Sequence, residues 1–421
     1  MRAAFSDQAR LAAMIRVEAA LARAQARFGL APQDLAPGIA AIEPDSLDLA
    51  ALGRDTAVAG VPVIPFLKAL RARLPAALEP HLHRGATTQD VADTGLVLQM
   101  RAALDLVAAD LDAIRAGLAT LARGHRTTPC VGRTYGQHAA PVTFGYKVAV
   151  WWAGIHEVGR RLPDLRGGLS ASLGGPVGTL AGLGPDGPAV ARAFAEELGL
   201  AAAPIAWHAR RARIAEIGAF LALLIGALAK MATDVAHLAS TEVAELAEPH
   251  VPGRGGSSAM PHKRNPVSAT VILAAHGAAP GLAATLFAAM AAAHERPAGA
   301  WHAEWHALPQ LFGLASGALR EARALAEGLV VDPQRMRDNL DLTRGLLFAD
   351  TAAAALAPRL GAAAAHRAVE EAADRVRAEG ASLLAVLRER FGDEPALSAA
   401  FDLAPAVAAA AAFVDEALAC P

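Results

Sequence analysis

The segment from residue 253 to residue 266 carries the residue types best suited to chemistry. It reads Gly-Arg-Gly-Gly-Ser-Ser-Ala-Met-Pro-His-Lys-Arg-Asn-Pro and lies between long segments rich in alanine and leucine. Glycines allow positive φ values, and the hydroxyls, cations and amide can all contact an anion. The pattern predicts a flexible loop that carries a hydroxyl and closes over an anionic ligand. A solvated basic connector is the alternative for a generic loop of this composition.

Two further stretches place polar side chains next to apolar helices. Residues 83–94 read His-Arg-Gly-Ala-Thr-Thr-Gln-Asp-Val-Ala-Asp-Thr, and residues 132–145 read Gly-Arg-Thr-Tyr-Gly-Gln-His-Ala-Ala-Pro-Val-Thr-Phe-Gly. The positions of Asp90 and Asp93 predict that both residues cap the following helix. Arg133 fits a structural ion pair as well as a ligand contact.

These three segments resemble the signature regions of the fumarase/aspartase superfamily and occur in the expected order. The superfamily loop reads Gly-Ser-Ser-x-Met-Pro-x-Lys-x-Asn, and each fixed position is matched from Gly256 to Asn265. Enzymes of this superfamily remove a proton next to a carboxylate and expel a group from the neighbouring carbon, or run that reaction backwards. The chemistry needs a base, a stabiliser for the developing aci-carboxylate and an acid at the leaving atom.

The resemblance implies roles for individual residues. Ser257 is implied as the base, an alkoxide that backbone N–H groups and the ammonium of Lys263 could stabilise. Lys263 and Asn265 are implied to bind a substrate carboxylate. The implied substrate-binding residues are His83, Thr87, Thr88, Gln89, Arg133, Thr134, Gln137, His138, Ser258 and Met260. The resemblance implies a small di- or tricarboxylate substrate and no cofactor.

Within the superfamily, the chain departs from the adenylosuccinate lyases. Tyr135 and Val61 stand where those lyases carry histidines, and Trp305 stands where they carry an arginine that holds the nucleotide phosphate. A buried phosphate without its fork-shaped donor binds poorly, so nucleotide substrates are disfavoured.

The chain is more similar to the bacterial 3-carboxy-cis,cis-muconate cycloisomerases. The likeness lies in residues 63–65, 83–90, 207–213 and 294–305. It implies interconversion of 3-carboxy-cis,cis-muconate and 4-carboxymuconolactone, a step of protocatechuate catabolism. In that reaction an internal carboxylate is the leaving group, and it needs little help from an acid.

Two departures leave an alternative open. Arg210 and Ala212 replace a glutamine and an aspartate that the cycloisomerases usually carry. These changes fit a β-eliminating carbon–nitrogen lyase that forms fumarate from a succinate-type substrate. A non-catalytic oligomeric scaffold is a further alternative, but a scaffold would not need the intact loop signature.

Composition excludes several other classes. The 39 Lys and Arg nearly balance the 41 Asp and Glu, so no strong field marks the chain for nucleic acid. Cys130 and Cys420 are the only cysteines, which excludes a disulfide framework. The uncharged run 217–229 is shorter than the roughly 20 residues that span a bilayer. The apolar run 269–293 is long enough, but His276 and Pro280 interrupt it. We therefore expect a soluble cytoplasmic protein without a membrane partner.

One histidine pair invites a metal interpretation. His302 and His306 would share a face at i, i+4 on a helix, as zinc ligands can. No third ligand follows at a suitable spacing, and the superfamily chemistry uses no metal. We expect no metal site.

The organisation predicts an all-α protein. Helical spacing of apolar residues predicts long helices over 144–162, 214–246 and 268–293, and such lengths suggest an extended bundle. The resemblance implies a tetramer in which each active site collects signature regions from three chains. The expected domains are an N-terminal helical domain (1–100), a central long-helix bundle (101–338) and a small C-terminal helical domain (339–421).

Overall fold

The computed structural model describes residues 1–420, and most of them are helical. The α-helices, in chain order, are α1 (Asp7–Ala26), α2 (Leu35–Ala40), α3 (Leu49–Ala59), α4 (Val63–Arg71), α5 (Thr88–Gly124), α6 (Phe144–Gly159), α7 (Leu162–Gly167), α8 (Gly187–Leu198), α9 (Ala212–Leu238), α10 (Val267–Ala288), α11 (Ala300–Gly328), α12 (Pro333–Asp341), α13 (Ala349–Leu360), α14 (Ala362–Glu379), α15 (Leu383–Phe391), α16 (Pro395–Ala399) and α17 (Ala404–Ala419). Short 3-10 helices occupy Ala3–Phe5, Pro44–Ser46, Glu79–His81, Ala181–Asp186 and Leu346–Phe348. Alanine and leucine are strong helix formers, and the predicted all-α class is confirmed.

Three small sheets interrupt the helices. The strands are β1 (Pro129–Thr134), β2 (Gln137–Thr143), β3 (Ser170–Ala171), β4 (Ala201–Ala202), β5 (Leu246–Ala247) and β6 (Val330–Val331). β1 and β2 form an antiparallel hairpin, β3 and β4 pair in parallel, and β5 and β6 pair antiparallel. The hairpin occupies the second polar segment, where the sequence pattern did not predict strands.

The three predicted long helices are present but end earlier than expected. α6 ends at Gly159, α9 at Leu238 and α10 at Ala288. After α9 the chain turns through backbone hydrogen bonds such as Ala244 N to Ser240 O, 2.8 Å, and then forms β5. Apolar composition continues past α10 through residues 289–293, so hydrophobicity alone overestimated the length of that helix.

Contacts divide the chain into two compact units. Unit 1 comprises residues 1–111, 157–226 and 274–319, and unit 2 comprises residues 112–156, 227–273 and 320–421. The three-domain division implied by the superfamily stays a prediction.

Unit 1 has an apolar core around α1. Buried residues occur on all sides of α1, among them Leu11, Met14 and Leu21, and α1 packs against α2 and α8. Ser6 caps the helix, since its side chain accepts a hydrogen bond from Ala9 N at 3.1 Å. One acidic residue of α1, Glu18, is also buried.

Unit 1 also contains a buried ionic cluster. The Arg211 guanidinium donates to both Asp93 oxygens, at 2.7 and 3.0 Å, and to Glu304 Oε1 at 2.9 Å. All three side chains are 1% exposed. Burial opposes the charge, but the two carboxylates outweigh it and raise the pKa of Arg211. The guanidinium therefore stays ionised and joins α5 to α11 just before α9 begins.

Unit 2 has a separate apolar core near the C-terminus. Its buried residues come from α13, α14, α15 and α16, and they include Leu356, Val376 and Leu383. This cluster lies within the segment that composition assigned to a small helical domain.

Three segments are long and apolar enough to cross a membrane, judged by length and composition alone. They are α9, α10 and the stretch Pro395–Ala419. The prediction that the α9 region is too short to span a bilayer is wrong, because the helix extends beyond the uncharged run to 27 residues. Within the most apolar 18-residue stretch of each helix, 61% is buried in α9 but only 28% in α10. α10 thus keeps an apolar surface that its own chain does not cover.

We predict that Arg211→Met destabilises the protein strongly, because two buried carboxylates lose their counter-charge. The expected loss is about 3–5 kcal/mol, measured as a shift of the urea unfolding midpoint. Arg213→Met is the matched control, since Arg213 pairs with Glu216 at 2.9 Å on the surface. That change should cost about 1 kcal/mol or less. Equal effects of the two substitutions would contradict the ionic-cluster interpretation.

Candidate active site

The loop from 253 to 266 is closed on itself by backbone pairing. Gly256 and Arg264 form an antiparallel bridge, and Asn265 N donates to Gly255 O at 2.8 Å. The Asn265 side-chain amide also donates to Gly255 O, at 3.1 Å. Gly255 has φ +74°, and a Cβ there would lie 2.7 Å from Asn265 O. The closed loop therefore requires glycine at this position.

Ser257 lies inside this closed loop, and its hydroxyl oxygen faces backbone donors. Ala259 N and Met260 N donate to Ser257 Oγ at 3.4 and 3.2 Å. Ser257 is half-buried, while Ser258 and Met260 are exposed. Two N–H dipoles directed at one hydroxyl oxygen favour its anionic form.

Lys263 supplies an available positive charge on the same loop. Its side chain is exposed, and among residues 1–420 it forms no ion pair. Lys263 N donates to Met260 O at 3.1 Å, which fixes the backbone of the loop tip. The ammonium is therefore free to meet an anion.

Buried and half-buried carboxylates anchor both ends of the loop. Arg254, near its start, pairs with Glu321, and Glu321 Oε2 also accepts from Ser268 Oγ at 2.9 Å. Burial opposes ionisation of Glu321, but these hydrogen bonds outweigh it and lower its pKa. Glu248 accepts from Ser268 N and Ala269 N, both at 2.9 Å, and so caps α10 where the loop ends. The loop is thus an exposed tip on an anchored base.

The β1–β2 hairpin presents the second polar segment at its tip. Tyr135 (φ +52°) and Gly136 (φ +78°) form a two-residue turn between the paired Thr134 and Gln137. Two consecutive positive φ values match the type I′ turn that suits a twisted hairpin. Thr134 and Gln137 are exposed beside the turn, and Tyr135 is fully exposed. The structure therefore holds these polar groups outward on a short rigid arm.

Behind the tip, Arg133 forms a half-buried ion pair. Its Nη2 donates to Glu245 Oε1 at 2.6 Å and its Nη1 to Oε2 at 3.3 Å. Asn339 Nδ2 donates to the same Oε1 at 2.8 Å. Burial, with a smaller contribution from Arg133, lowers the pKa of His138. The structural interpretation of Arg133 is supported, and its contact with a substrate stays a prediction.

The hairpin also borders a cleft in unit 2 of about 380 Å³. The residues that line it are Gly132, Arg133, Thr134, Ala139, Ala140, Val142, Tyr146, Lys147, Val150, Lys230, Asp234, His237 and Leu238.

Deeper in the hairpin, burial raises the pKa of the Cys130 thiol to about 12, although Lys147 and Arg133 act against it.

The first polar segment folds around a buried carboxylate. Asp90 accepts hydrogen bonds from Thr87 N, Gly174 N and Gly175 N, each at 2.9 Å. His208 Nε2 lies 2.6 Å from Asp90 Oδ1. The bond from Thr87 N is one of the two reciprocal bonds of a capping box at the start of α5. Asp90 therefore pairs with the helix start, as predicted, and also fixes two loops against it. The same prediction for Asp93 is wrong, because its carboxylate is buried and accepts from Arg211 and Trp301 instead.

The predicted ligands of this segment differ in exposure. His83 Nδ1 lies 2.6 Å from Glu18 Oε1, and Thr87 Oγ1 accepts from Arg296 Nη2 at 2.7 Å. Gln89 is fully buried, with its amide donating to Asp93 and to His208 O. Gln89 thus holds the buried network, whereas Thr87 and Thr88 are only half-buried.

The units divide the predicted residues between them. His83 and Thr87–Gln89 belong to unit 1. The hairpin residues and the loop 253–266 belong to unit 2. Within unit 2, Ser257, Met260, Lys263 and Asn265 share one closed loop.

Sequence reasoning missed the partners that hold these groups. Glu245, Glu248 and Glu321 occur in ordinary helical or loop contexts, and only their contacts show their importance. Among residues 1–420, no three His, Cys, Asp or Glu side chains are grouped so that they could hold a metal ion. His302 packs against Trp301 and Trp305.

Comparisons with known proteins agree over nearly the whole chain. A family model described as lyase matches residues 1–281. A 3-carboxy-cis,cis-muconate cycloisomerase of Pseudomonas aeruginosa is 47% identical, over 100% of this chain and 94% of the relative. A nitrosuccinate lyase of Streptomyces davaonensis is 49% identical, over 92% of this chain and 84% of the relative. The crystal structure of 3-carboxy-cis,cis-muconate lactonizing enzyme from Pseudomonas putida has a TM-score of 0.93 and 45% identity, covering 99% and 96% of the two chains.

We predict that Gly255→Ala opens the loop without unfolding the protein. The new Cβ would collide with Asn265 O, so the backbone pairing should break and expose the Arg264–Asn265 bond. Limited trypsin digestion should cleave there several-fold faster than in the wild type, with unchanged helical circular dichroism. Gly253→Ala is the matched control, because Gly253 also has positive φ but meets no atom within 4 Å. Equal cleavage of both variants would contradict the steric argument.

Proposed function

We propose, on the premise that the chain belongs to the lyase family, that it interconverts 3-carboxy-cis,cis-muconate and 4-carboxymuconolactone. The predicted superfamily membership is confirmed, since the family model covers 281 of 421 residues. Full-length cycloisomerase relatives and the lactonizing-enzyme structure support the predicted activity.

The observation that carries the mechanism is the environment of the Ser257 hydroxyl. Its oxygen accepts from two backbone N–H groups in a loop that also carries Lys263. A serine alkoxide is normally scarcely populated at neutral pH, but these donors and the ammonium stabilise it. Ser257 is therefore proposed as the base, and Lys263 and Asn265 as the groups that bind a carboxylate.

The reaction needs one proton transfer and one carbon–oxygen bond change. In the lactone-forming direction a substrate carboxylate oxygen adds to a double-bond carbon, and the Ser257 hydroxyl gives its proton to the adjacent carbon. In reverse the Ser257 alkoxide removes that proton while the internal carboxylate leaves. A carboxylate is a stable leaving group because its conjugate acid has a low pKa. This is compatible with Tyr135 at a position where adenylosuccinate lyases carry a histidine.

We further propose a cytoplasmic homotetramer whose active sites are shared between subunits, with no membrane or nucleic-acid partner. The apolar surface of α10 supports this, because Val271 and Phe287 are 39% and 52% exposed in the single chain. Large exposed apolar faces are typical of subunit interfaces. The exposed loop and hairpin tip are available for sites that several chains complete.

A β-eliminating lyase of succinate-type substrates is the second candidate. The departure at Arg210 and Ala212 favours it, as does the nitrosuccinate lyase relative at 49% identity. Arg210 is exposed beside a second cleft of about 400 Å³ in unit 1. Both candidates use the same base and the same carboxylate contacts.

We predict that the purified enzyme abolishes the ultraviolet diene absorbance of 3-carboxy-cis,cis-muconate as the lactone forms. Nitrosuccinate and aminosuccinate, assayed in parallel for fumarate, should give no product. Fumarate formation with an unchanged diene band would establish the second candidate and reject the first. No turnover of any of these substrates would favour a scaffold.

We predict that Ser257→Ala lowers kcat by at least a hundredfold, because the variant has no group to carry the proton. Its thermal unfolding and oligomeric state should match the wild type. Ser258→Ala is the control, since Ser258 is exposed next to the same position and should affect turnover much less. Wild-type kcat in Ser257→Ala would exclude Ser257 as the base.

A further inference from the structure

We propose that the cleft beside the β1–β2 hairpin is a carboxylate-binding subsite and that Lys147 is its cationic ligand. Lys147 lies in the first turn of α6 and lines the cleft together with Arg133 and Thr134. It is absent from the residues that the sequence motifs assigned to a site. The volume of about 380 Å³ is in the range of small-molecule sites.

The charges of the other cations in the cleft are already compensated. Lys230 Nζ donates to Asp234 Oδ2 at 2.5 Å, and Arg133 pairs with Glu245. Asp234 accepts a further hydrogen bond from Trp151 Nε1 at 2.6 Å. The single carboxylate that lines the cleft, that of Asp234, is therefore paired with Lys230 and Trp151.

Lys147 has no such partner. Its side chain is half-buried, and within the described part of the chain no carboxylate lies within 4 Å of its ammonium. A partly desolvated charge without a counter-ion is unfavourable, and an anionic ligand would relieve the cost. Lys147 is thus the uncompensated cation of the cleft.

The position of Lys147 on its helix adds to this imbalance. A cation in the first turn is disfavoured by the helix dipole, and the first turn of α6 has no acidic residue. The N–H groups at the helix start are already paired: Phe144 N with Thr128 O, Gly145 N with His125 O and Tyr146 N with Thr143 Oγ1. The free positive group is therefore the ammonium and not the helix end.

The ligand class follows from this single charge and the neighbouring hydroxyl. One ammonium with the Thr134 hydroxyl suits one carboxylate. The identity of the ligand rests on the proposed function, whose substrate has three carboxylates. Lys263 and Asn265 of one chain would hold one of them, and Thr87 and Thr88 of another chain of the proposed tetramer a second. Lys147 would then hold the third and favour tricarboxylates over dicarboxylates.

The test measures binding of two unreactive probes, propane-1,2,3-tricarboxylate and pentanedioate, by titration calorimetry on the intact protein. The wild type should bind the tricarboxylate more tightly. Lys147→Met should weaken tricarboxylate binding about tenfold or more and remove the preference, while Lys147→Arg should retain most of it. Lys68→Met is the matched control, because that lysine is exposed on α4 and does not line the cleft, and binding by this variant should stay within about threefold of the wild type.

Several results would overturn the proposal: unchanged binding in Lys147→Met, an equal loss in Lys68→Met, or no tricarboxylate binding to the wild type at millimolar concentration. With the muconate substrate, Lys147→Met should raise KM about tenfold and leave kcat nearly unchanged. If the wild type does not turn over muconate, the proposed function fails, while the calorimetry still decides whether Lys147 binds carboxylates.

Discussion

Neutralisation of buried carboxylates by fixed donors is the constraint on which both units depend. In unit 1, Asp90 and Asp93 lie on the first turns of α5 and hold loops, α11 and the approach to α9 through the Arg211 cluster and His208. A carboxylate inside a protein is tolerable only when its oxygens are paired. Each acid therefore fixes the position of the segments that pair with it. The polar segment of residues 83–88, which leads into α5, is positioned by the same contacts.

Unit 2 uses the same principle to carry groups that must remain available. Glu245, Glu248 and Glu321 fix the bases of the hairpin and the loop. The tips themselves are held by local hydrogen bonds and stay exposed. The loop that carries Ser257 thus combines an anchored base with an accessible end, which is the arrangement expected of loops that complete a site.

The sequence motifs predicted the helical class and the loop, because these depend on local residue order, and the role of Ser257 stays a prediction. Asp90 as a cap was predictable for the same reason. The β1–β2 hairpin was not, since its strands lack alternation and its turn relies on positive φ at Tyr135. Nor was the buried state of Gln89 predictable, because its hydrogen bond to His208 O joins residues 119 positions apart. Contacts of that kind leave no short-range signal.

The burial of Cys130 has a consequence for the redox behaviour of the chain. Only the thiolate reacts readily with oxidants and alkylating reagents, and a pKa of about 12 leaves almost none of it at neutral pH. Cys420, the other cysteine, is exposed near the C-terminus. The folded chain should thus behave as a single-thiol protein, so that a maleimide dye labels each chain once, at a site remote in sequence from the signature segments.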